Sequence, residues 1–269
     1  MIEHSIPPEM TRRAWKVVVV GAGGTGSALL PSLARLHHAM LELGHPGGIE
    51  CIVYDDDTVS ETNVGRQGFY PVDVGRPKAT LLVNRLNNLM GTRWEARVCQ
   101  LSGTDSLRCD MVVGCVDTRK ARKAIVQAMK RGAGGYYLDC GNESNSGQVI
   151  LGEVRQRAPR RLPHVGDLFP ELLNPAADKA DTAPSCSMAD ALRKQSLVVN
   201  QAIAVQAFNL LWTLFRTGTL KYSGVFVNLD AGRTTSLPVD EGAWMRFGYQ
   251  SLAAKREARL TARGGKVPA

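Results

Sequence analysis

A doubly wound, mostly parallel α/β sheet is the fold class expected from this sequence, on three observations. Short runs of β-branched and apolar residues alternate with longer stretches in helical spacing. The first such run, Lys16 to Val20, ends in four consecutive valines, the pattern of a strand buried on both faces. It leads directly into Gly21-Ala22-Gly23-Gly24-Thr25-Gly26 and then a helix, the setting in which a tight glycine turn joins strand to helix.

The remaining elements follow in order. Ser27 to Leu43 is expected to be helical, with Leu29, Leu33, Leu36, Met40 and Leu43 on one face, and Pro46-Gly47-Gly48 ends it. Ile49 to Tyr54 reads as a second strand closing on Asp55-Asp56-Asp57, and Thr58 to Pro77 as irregular. Lys78 to Met90 returns to helical spacing through Leu82, Leu86 and Leu89. Strands are expected at Glu95 to Leu101 and at Met111 to Val116, the latter delivering Asp117 at its end. A helix from Arg119 to Arg131 and strands at Tyr136 to Cys140 and Gln148 to Val154 complete the alternation.

Residues 155–187 differ. Arg155 to Ser185 holds five of the thirteen prolines and has no period, so the segment reads as a long crossing loop. Met188 to Arg216 reads as a helix, and Val225 to Leu229 with Arg233 to Val239 as a closing hairpin. That C-terminal helix and hairpin are expected to cover the sheet or to form a dimer interface. The whole is taken as one domain, 1–254, with a basic and disordered tail at 255–269.

Composition narrows the class. A chain of 269 residues with 44% apolar and 22% charged residues suits a soluble globular domain. No apolar run reaches the roughly 18 residues of a membrane helix, and Met1 to Arg13 lacks the apolar core of a secretory signal. A cytoplasmic location without membrane contact is therefore expected. The net charge of +8 gathers at Arg155, Arg157, Arg160 and Arg161, and again from Lys255 to Lys266. Neither group is interleaved with aromatic residues, so solvated surface is the reading and nucleic acid is not required. None of the six cysteines forms a C-x-x-C pair, so no structural zinc is expected. Cys51, Cys115 and Cys140 sit in or beside apolar runs and read as packing.

The residues that carry chemistry begin with the glycine turn. Gly21 permits the turn, Gly23 with Gly24 lets backbone approach a phosphate, and Gly26 permits close packing of helix on strand. The turn alone does not choose among nucleotides. Asp55 ends the second strand, where an acid holds ribose hydroxyls, and Asp57 is grouped with it. The stretch Asp55-x-Asp57-x-Val59-x-x-x-Asn63-x-x-Arg66-Gln67, followed by Gly75-Arg76-Pro77-Lys78, discriminates further. A hydride-transferring enzyme has no need of a fixed arginine and lysine there, whereas cleavage of ATP builds negative charge that both can meet. Asp117 at a strand's carboxyl end suits Mg²⁺ on ATP phosphates, or equally the N-cap of the helix from Arg119.

These motifs, with Cys115-Val116-Asp117, resemble the ThiF/MoeB/HesA superfamily, which includes ubiquitin-activating enzymes; the resemblance spans roughly Lys16 to Leu214. Within it the chain looks most like the ThiF-family component of the bacterial PRTRC system, on the overall pattern and on Pro184 to Leu192. The resemblance implies a Rossmann-like fold and an ATP- and Mg²⁺-dependent adenylyltransferase acting as a homodimer. Asp55 would bind ribose, Asn63, Arg66 and Lys78 would handle phosphates with Gln67 beside them, and Asp117 would bind Mg²⁺. The substrate would be the C-terminal carboxylate of a small β-grasp protein, ubiquitin-like or a sulfur carrier.

Two features depart from the family pattern. The paired C-x-x-C zinc site of many relatives is missing, and Arg12 and Arg13 lie too near the first strand for the arginine that reaches a partner subunit's ATP. Cys186 aligns with the cysteine that takes over the acyl group in some relatives, and it precedes a helix that can lower a thiol's pKa. An unreactive thiol at the helix cap is the competing reading. Three other functions stay open at this level: an NAD(P)-dependent oxidoreductase, a small-molecule or tRNA-base adenylating enzyme, and a catalytically idle nucleotide-binding scaffold.

Overall fold

Residues 3–155, 161–178 and 195–262 are described by a computed structural model of the chain. An N-terminal β1 (His4–Ser5) precedes β2 (Trp15–Val20), α1 (Gly24–Glu42) and β3 (Ile49–Tyr54). Then come α2 (Lys78–Met90), β4 (Glu95–Arg97), β5 (Met111–Gly114), α3 (Arg119–Arg131), β6 (Tyr136–Asn142) and β7 (Ser146–Glu153). A short α4 (Val165–Leu168) leads to α5 (Val199–Thr217), β8 (Thr219–Leu220), β9 (Tyr222–Asn228), β10 (Arg233–Pro238), α6 (Glu241–Met245) and α7 (Leu252–Ala262).

The main sheet has eight strands in the order β10-β9-β7-β6-β5-β2-β3-β4. Five of them, β4 to β6 in that order, run parallel, and β7, β9 and β10 add antiparallel neighbours. The valines of β2 explain its central place: Val17, Val18, Val19 and Val20 are all buried, with β3 on one side and β5 on the other. Parallel crossovers are right-handed as a rule, so those from β2 to β3 to β4 put α1 and α2 on one face, and the one from β5 to β6, which runs the other way along the sheet, puts α3 on the other. Helix α5 packs along α1, while α3 packs against the turns of residues 170–177. The strand order reverses between β2 and β5, and a doubly wound sheet opens its ligand crevice at such a point, at the carboxyl ends of the strands.

The structure alters the sequence reading at several points. The closing hairpin neither lies over the sheet nor stands apart; it extends the sheet, because β9 pairs with β7 from Ser146↔Asn228 to Ile150↔Gly224. The long crossing segment is ordered through 161–178, with α4 and two 3-10 turns, Pro170–Leu173 and Pro175–Ala177. Arg161, grouped above with solvated charges, instead forms two bonds to Asp167, at 2.7 and 2.8 Å, and lies over the Tyr249 ring. Helix α5 begins at Val199, not at Met188, which lies outside the described residues. The turn before it is held elsewhere: Ser196 donates its N–H to the Ser144 carbonyl at 2.9 Å.

The tail expected to be disordered from Lys255 is helical to Ala262. Ser251 explains its start: its hydroxyl accepts the Ala254 N–H at 3.1 Å and donates to the Glu241 carboxylate. The Leu, Ala, Arg and Glu residues that follow are good helix formers. Among the described residues, no helix is long and apolar enough to cross a membrane.

Candidate functional site

The glycine turn closes on the loop after β5. Gly21 has φ +96°, a conformation glycine adopts freely, and a side chain there would meet the Cys115 carbonyl oxygen at 2.5 Å. A Cβ at Gly26 would fall on the Gly21 carbonyl oxygen, so α1 approaches the turn only because this residue is glycine. Gly23 has nothing within 4 Å of where a Cβ would stand, and α1 starts at Gly24 with its N–H groups turned to this open side.

Asp55 braces the turn from β3. Its Oδ2 accepts the Ala22 N–H at 2.6 Å and its Oδ1 the Asp57 N–H at 3.0 Å. Burial pushes its carboxyl up from the usual range, with the Ala22 N–H and the Lys78 charge acting against that rise. Asp57 is clasped to Lys78, Nζ to Oδ2 at 2.8 Å, and the Lys78 N–H donates to the Asp57 carbonyl at 3.0 Å. Lys78 is buried at the first turn of α2, so its ammonium is held beside the turn and Asp55.

Asn63, Arg66 and Gln67 share one turn. The Asn63 carbonyl accepts the N–H groups of Arg66 and Gln67, at 3.2 and 2.9 Å, and its Oδ1 accepts the Ser60 N–H at 3.0 Å. Asn63 therefore builds the turn. Arg66 Nη1 donates to Gln195 Oε1 at 2.9 Å, while its Nε, like Gln67 Oε1, is buried without a hydrogen-bond partner among the described residues. Burial lowers the Arg66 guanidinium from its ordinary value.

Gln195 and its neighbours were not picked out from the sequence. Asn200 Nδ2 lies 3.4 Å from Gln195 Oε1, and the Thr25 hydroxyl contacts Asn200 Oδ1 at 3.0 Å and Asn142 Oδ1 at 3.2 Å. The chain Arg66–Gln195–Asn200–Thr25–Asn142 thus runs from the Arg66 turn across the N-terminus of α1 to the end of β6. The available signal was Asn200 itself, a buried amide in the apolar run of α5.

Asp117 lies in the loop after β5, which ends at Gly114. It does not cap α3. Thr118 does, accepting the Ala121 N–H at 3.2 Å, and the exposed Asp117 carboxylate accepts no hydrogen bond from a described residue. Asp117 and Asn142 line a cavity of about 680 Å³ that also takes in Arg122, Gln148, Phe169 and Phe226. Its strand residues come from the end of β6, the start of β7, the end of β9 and the start of β10, and Asn142, which Thr25 contacts, links it to the N-terminus of α1.

Other candidates fall elsewhere. Cys186 lies outside the described residues. Cys51 and Cys140 are buried, as packing requires, and burial raises the Cys51 thiol. Arg13 makes a two-pronged pair with Asp110, at 2.6 Å for both contacts, which accounts for it within its own chain. Among the described residues no group of three or more His, Cys, Asp or Glu side chains is placed to hold a metal ion. A Mg²⁺ that takes most of its ligands from phosphates and water needs only one or two carboxylates, and the exposed Asp117, unbonded among the described residues, fits that demand.

Comparison with known proteins agrees with this fold. A curated relative, the adenylyltransferase and sulfurtransferase UBA4 of Yarrowia lipolytica, is 32% identical over 130 residues, 46% of this chain and 30% of that protein. Among solved structures, PaaA matches with a TM-score of 0.56 at 15% identity, covering 84% of this chain and 64% of that one. Escherichia coli MccB, solved with ATP, matches with a TM-score of 0.55 at 17% identity over the same shares. The chain thus spans less than a third of the curated relative and under two thirds of these structures. The ThiF family model matches residues 9–241, nearly the whole of the described sheet and its helices, and the chain belongs to the ThiF family.

Proposed function

We propose that this chain uses ATP and Mg²⁺ to adenylate the C-terminal carboxylate of a small β-grasp protein, ubiquitin-like or a sulfur carrier. Family membership supports an adenylyltransferase, and the UBA4 relative supports that class of substrate. The observation that carries the reading to residues is the unpartnered Arg66 Nε. A buried guanidinium N–H left without a partner costs stability, and a phosphate oxygen would satisfy it.

The roles follow from position. The α1 N-terminus and the open Gly23 side receive phosphate oxygens, and Asp55 has acceptor capacity left for ribose hydroxyls. An oxygen of the acceptor carboxylate attacks the α-phosphorus; the new P–O bond forms as the α–β P–O bond breaks and pyrophosphate leaves. Arg66 and Lys78 meet the charge that gathers on those oxygens. Bound Mg²⁺, held by Asp117, would supply further neutralisation of phosphate charge. The cavity beside Asp117 gives the acceptor's C-terminus its way in. The reading includes a homodimer, as the resemblance implies, and a cytoplasmic location, as the composition leads one to expect.

Calorimetry tests the assignment. The wild type should bind ATP with Mg²⁺ in preference to NAD, and Arg66→Ala should weaken ATP binding at least tenfold while keeping its thermal midpoint. Tight NAD binding with no heat from ATP would overturn the reading.

A further inference from the structure

A buried ion pair, one member of which lines the cavity, has no part in the roles above. Arg122 of α3 and Asp139 of β6 are 6% and 0% exposed. Arg122 Nε donates to Asp139 Oδ1 at 3.0 Å, and the Tyr137 hydroxyl donates to the same oxygen at 2.8 Å. Gln148 Nε2 stands 3.5 Å from Asp139 Oδ2. Burial opposes the Arg122 charge, but Asp139 and Tyr137 outweigh it, so the guanidinium titrates above its ordinary value. Such a pair is a poor source of stability, since desolvation consumes much of its attraction.

Its geometry suggests a use. Arg122 Nη1 lies 3.5 Å from the Asp117 carbonyl oxygen, so the guanidinium sits against the loop that carries Asp117. Nη2 makes no hydrogen bond to a described residue, and it borders Gly141, where a Cβ would stand 2.9 Å from it. Arg122 lines the cavity. Asp139, Tyr137 and Gln148 therefore fix a planar cation with one edge turned to the space beside Asp117. The cavity's other wall includes Phe169 and Phe226, which suits the apolar part of a peptide.

We propose that Arg122 receives the acceptor's terminal carboxylate in this cavity, with Asp139 as the residue that orients it. This rests on the adenylation reading and names the group that positions its second substrate. Arg122 holds one carboxylate oxygen and leaves the other free to attack. A lysine can fill the role only in part, because it keeps the charge but lacks the fork that bonds Asp139 and the carboxylate together.

The test uses two peptides of one sequence ending in Gly-Gly, one a free acid and the other a C-terminal amide, titrated into ¹⁵N-labelled protein. The wild type should prefer the acid at least tenfold, with resonances of Gly141 and Gln148 moving. Arg122→Gln should bind both peptides equally, Arg122→Lys should recover only part of the preference, and Asp139→Asn should reduce it. ATP affinity should stay within about twofold in Arg122→Lys, a separation that general damage to the fold would not give. Retention of the acid preference in Arg122→Gln or Arg122→Lys at wild-type strength, or its absence in the wild type, overturns the proposal. Pyrophosphate exchange measured on the same wild-type protein reports on adenylation separately. Acid preference without exchange leaves the anchor and removes the reaction; exchange without acid preference does the reverse.

Discussion

Thr118, not Asp117, caps α3: its Oγ1 accepts the Ala121 N–H at 3.2 Å, and the neighbouring carboxylate is left exposed. The two residues should therefore separate cleanly on mutation. Thr118→Ala should cost about 1 kcal/mol of stability in urea unfolding. Asp117→Ala should leave stability within about 0.5 kcal/mol but reduce pyrophosphate exchange by a factor of about 100 or more. Wild-type exchange in Asp117→Ala would return that residue to a structural role.

Gly26 and Gly23 differ in what a methyl group would meet. A Cβ at Gly26 would collide with the Gly21 carbonyl oxygen, so Gly26→Ala should lose about 1–3 kcal/mol by forcing α1 off the turn. Gly23 has open space around it, but its φ of −77° and ψ of −137° lie outside the regions a residue with a side chain adopts freely. Gly23→Ala should lose about 1–3 kcal/mol to backbone strain and, among molecules still folded, lose ATP affinity, because its methyl group enters the space where a phosphate would lie. Equal ATP affinity in Gly23→Ala and wild type would move the phosphates elsewhere.

The legible parts of this fold are those where a local pattern has one outcome. Four valines in a row and the glycines after them placed β2 and the turn, with α1 expected from Ser27 and found from Gly24, and Asp55 came with the end of β3. The sheet's far side was less legible, because pairing is not written in the period of a strand. Only the three residues Glu143 to Asn145 join β6 to β7, which forces an antiparallel pair, and β9 then adds to β7 through contacts distant in sequence. The Thr118 cap and the Ser251 cap were both readable from residue type and were passed over for Asp117 and for a disordered tail. The Gln195–Asn200–Thr25 chain was not readable, since residues far apart in the sequence meet only in the fold.

Acid should act on the structure through His164. This N-cap of α4 accepts the Gly166 N–H on Nδ1 at 3.0 Å, and burial lowers its pKa from 6.5 to about 4, with Asp167 pulling the other way. The unfolded chain thus takes up the proton first. Stability is complete above about pH 6.5 and is lost as pH falls toward about 4, on the order of 3 kcal/mol at most for this group. His4, also lowered to about 4 by burial, adds to the same window. His164→Asn keeps a capping acceptor and should flatten part of the slope in urea unfolding between pH 7 and 4.5. An unchanged slope would mean that the imidazole is already charged in the fold.

Cys186 separates two outcomes of the proposed reaction. If it accepts the acyl group, the wild type should form a denaturant-stable adduct with its carrier protein that added thiol cleaves. Cys186→Ala should lose that adduct and keep pyrophosphate exchange, since adenylation needs no thiol. Mass spectrometry of the wild type and the variant decides it; the same thiol-sensitive adduct in Cys186→Ala would assign the transfer to another cysteine.

Isotope exchange of pyrophosphate into ATP tests the central claim most directly. With Mg²⁺ and a β-grasp protein ending in a free glycine carboxylate, the wild type should exchange label at a rate that saturates with the carrier. Removing the carrier's last glycine should abolish that exchange. Sustained binding of ATP with no exchange for any carrier carboxylate, or exchange unaffected by the loss of that glycine, would contradict the account.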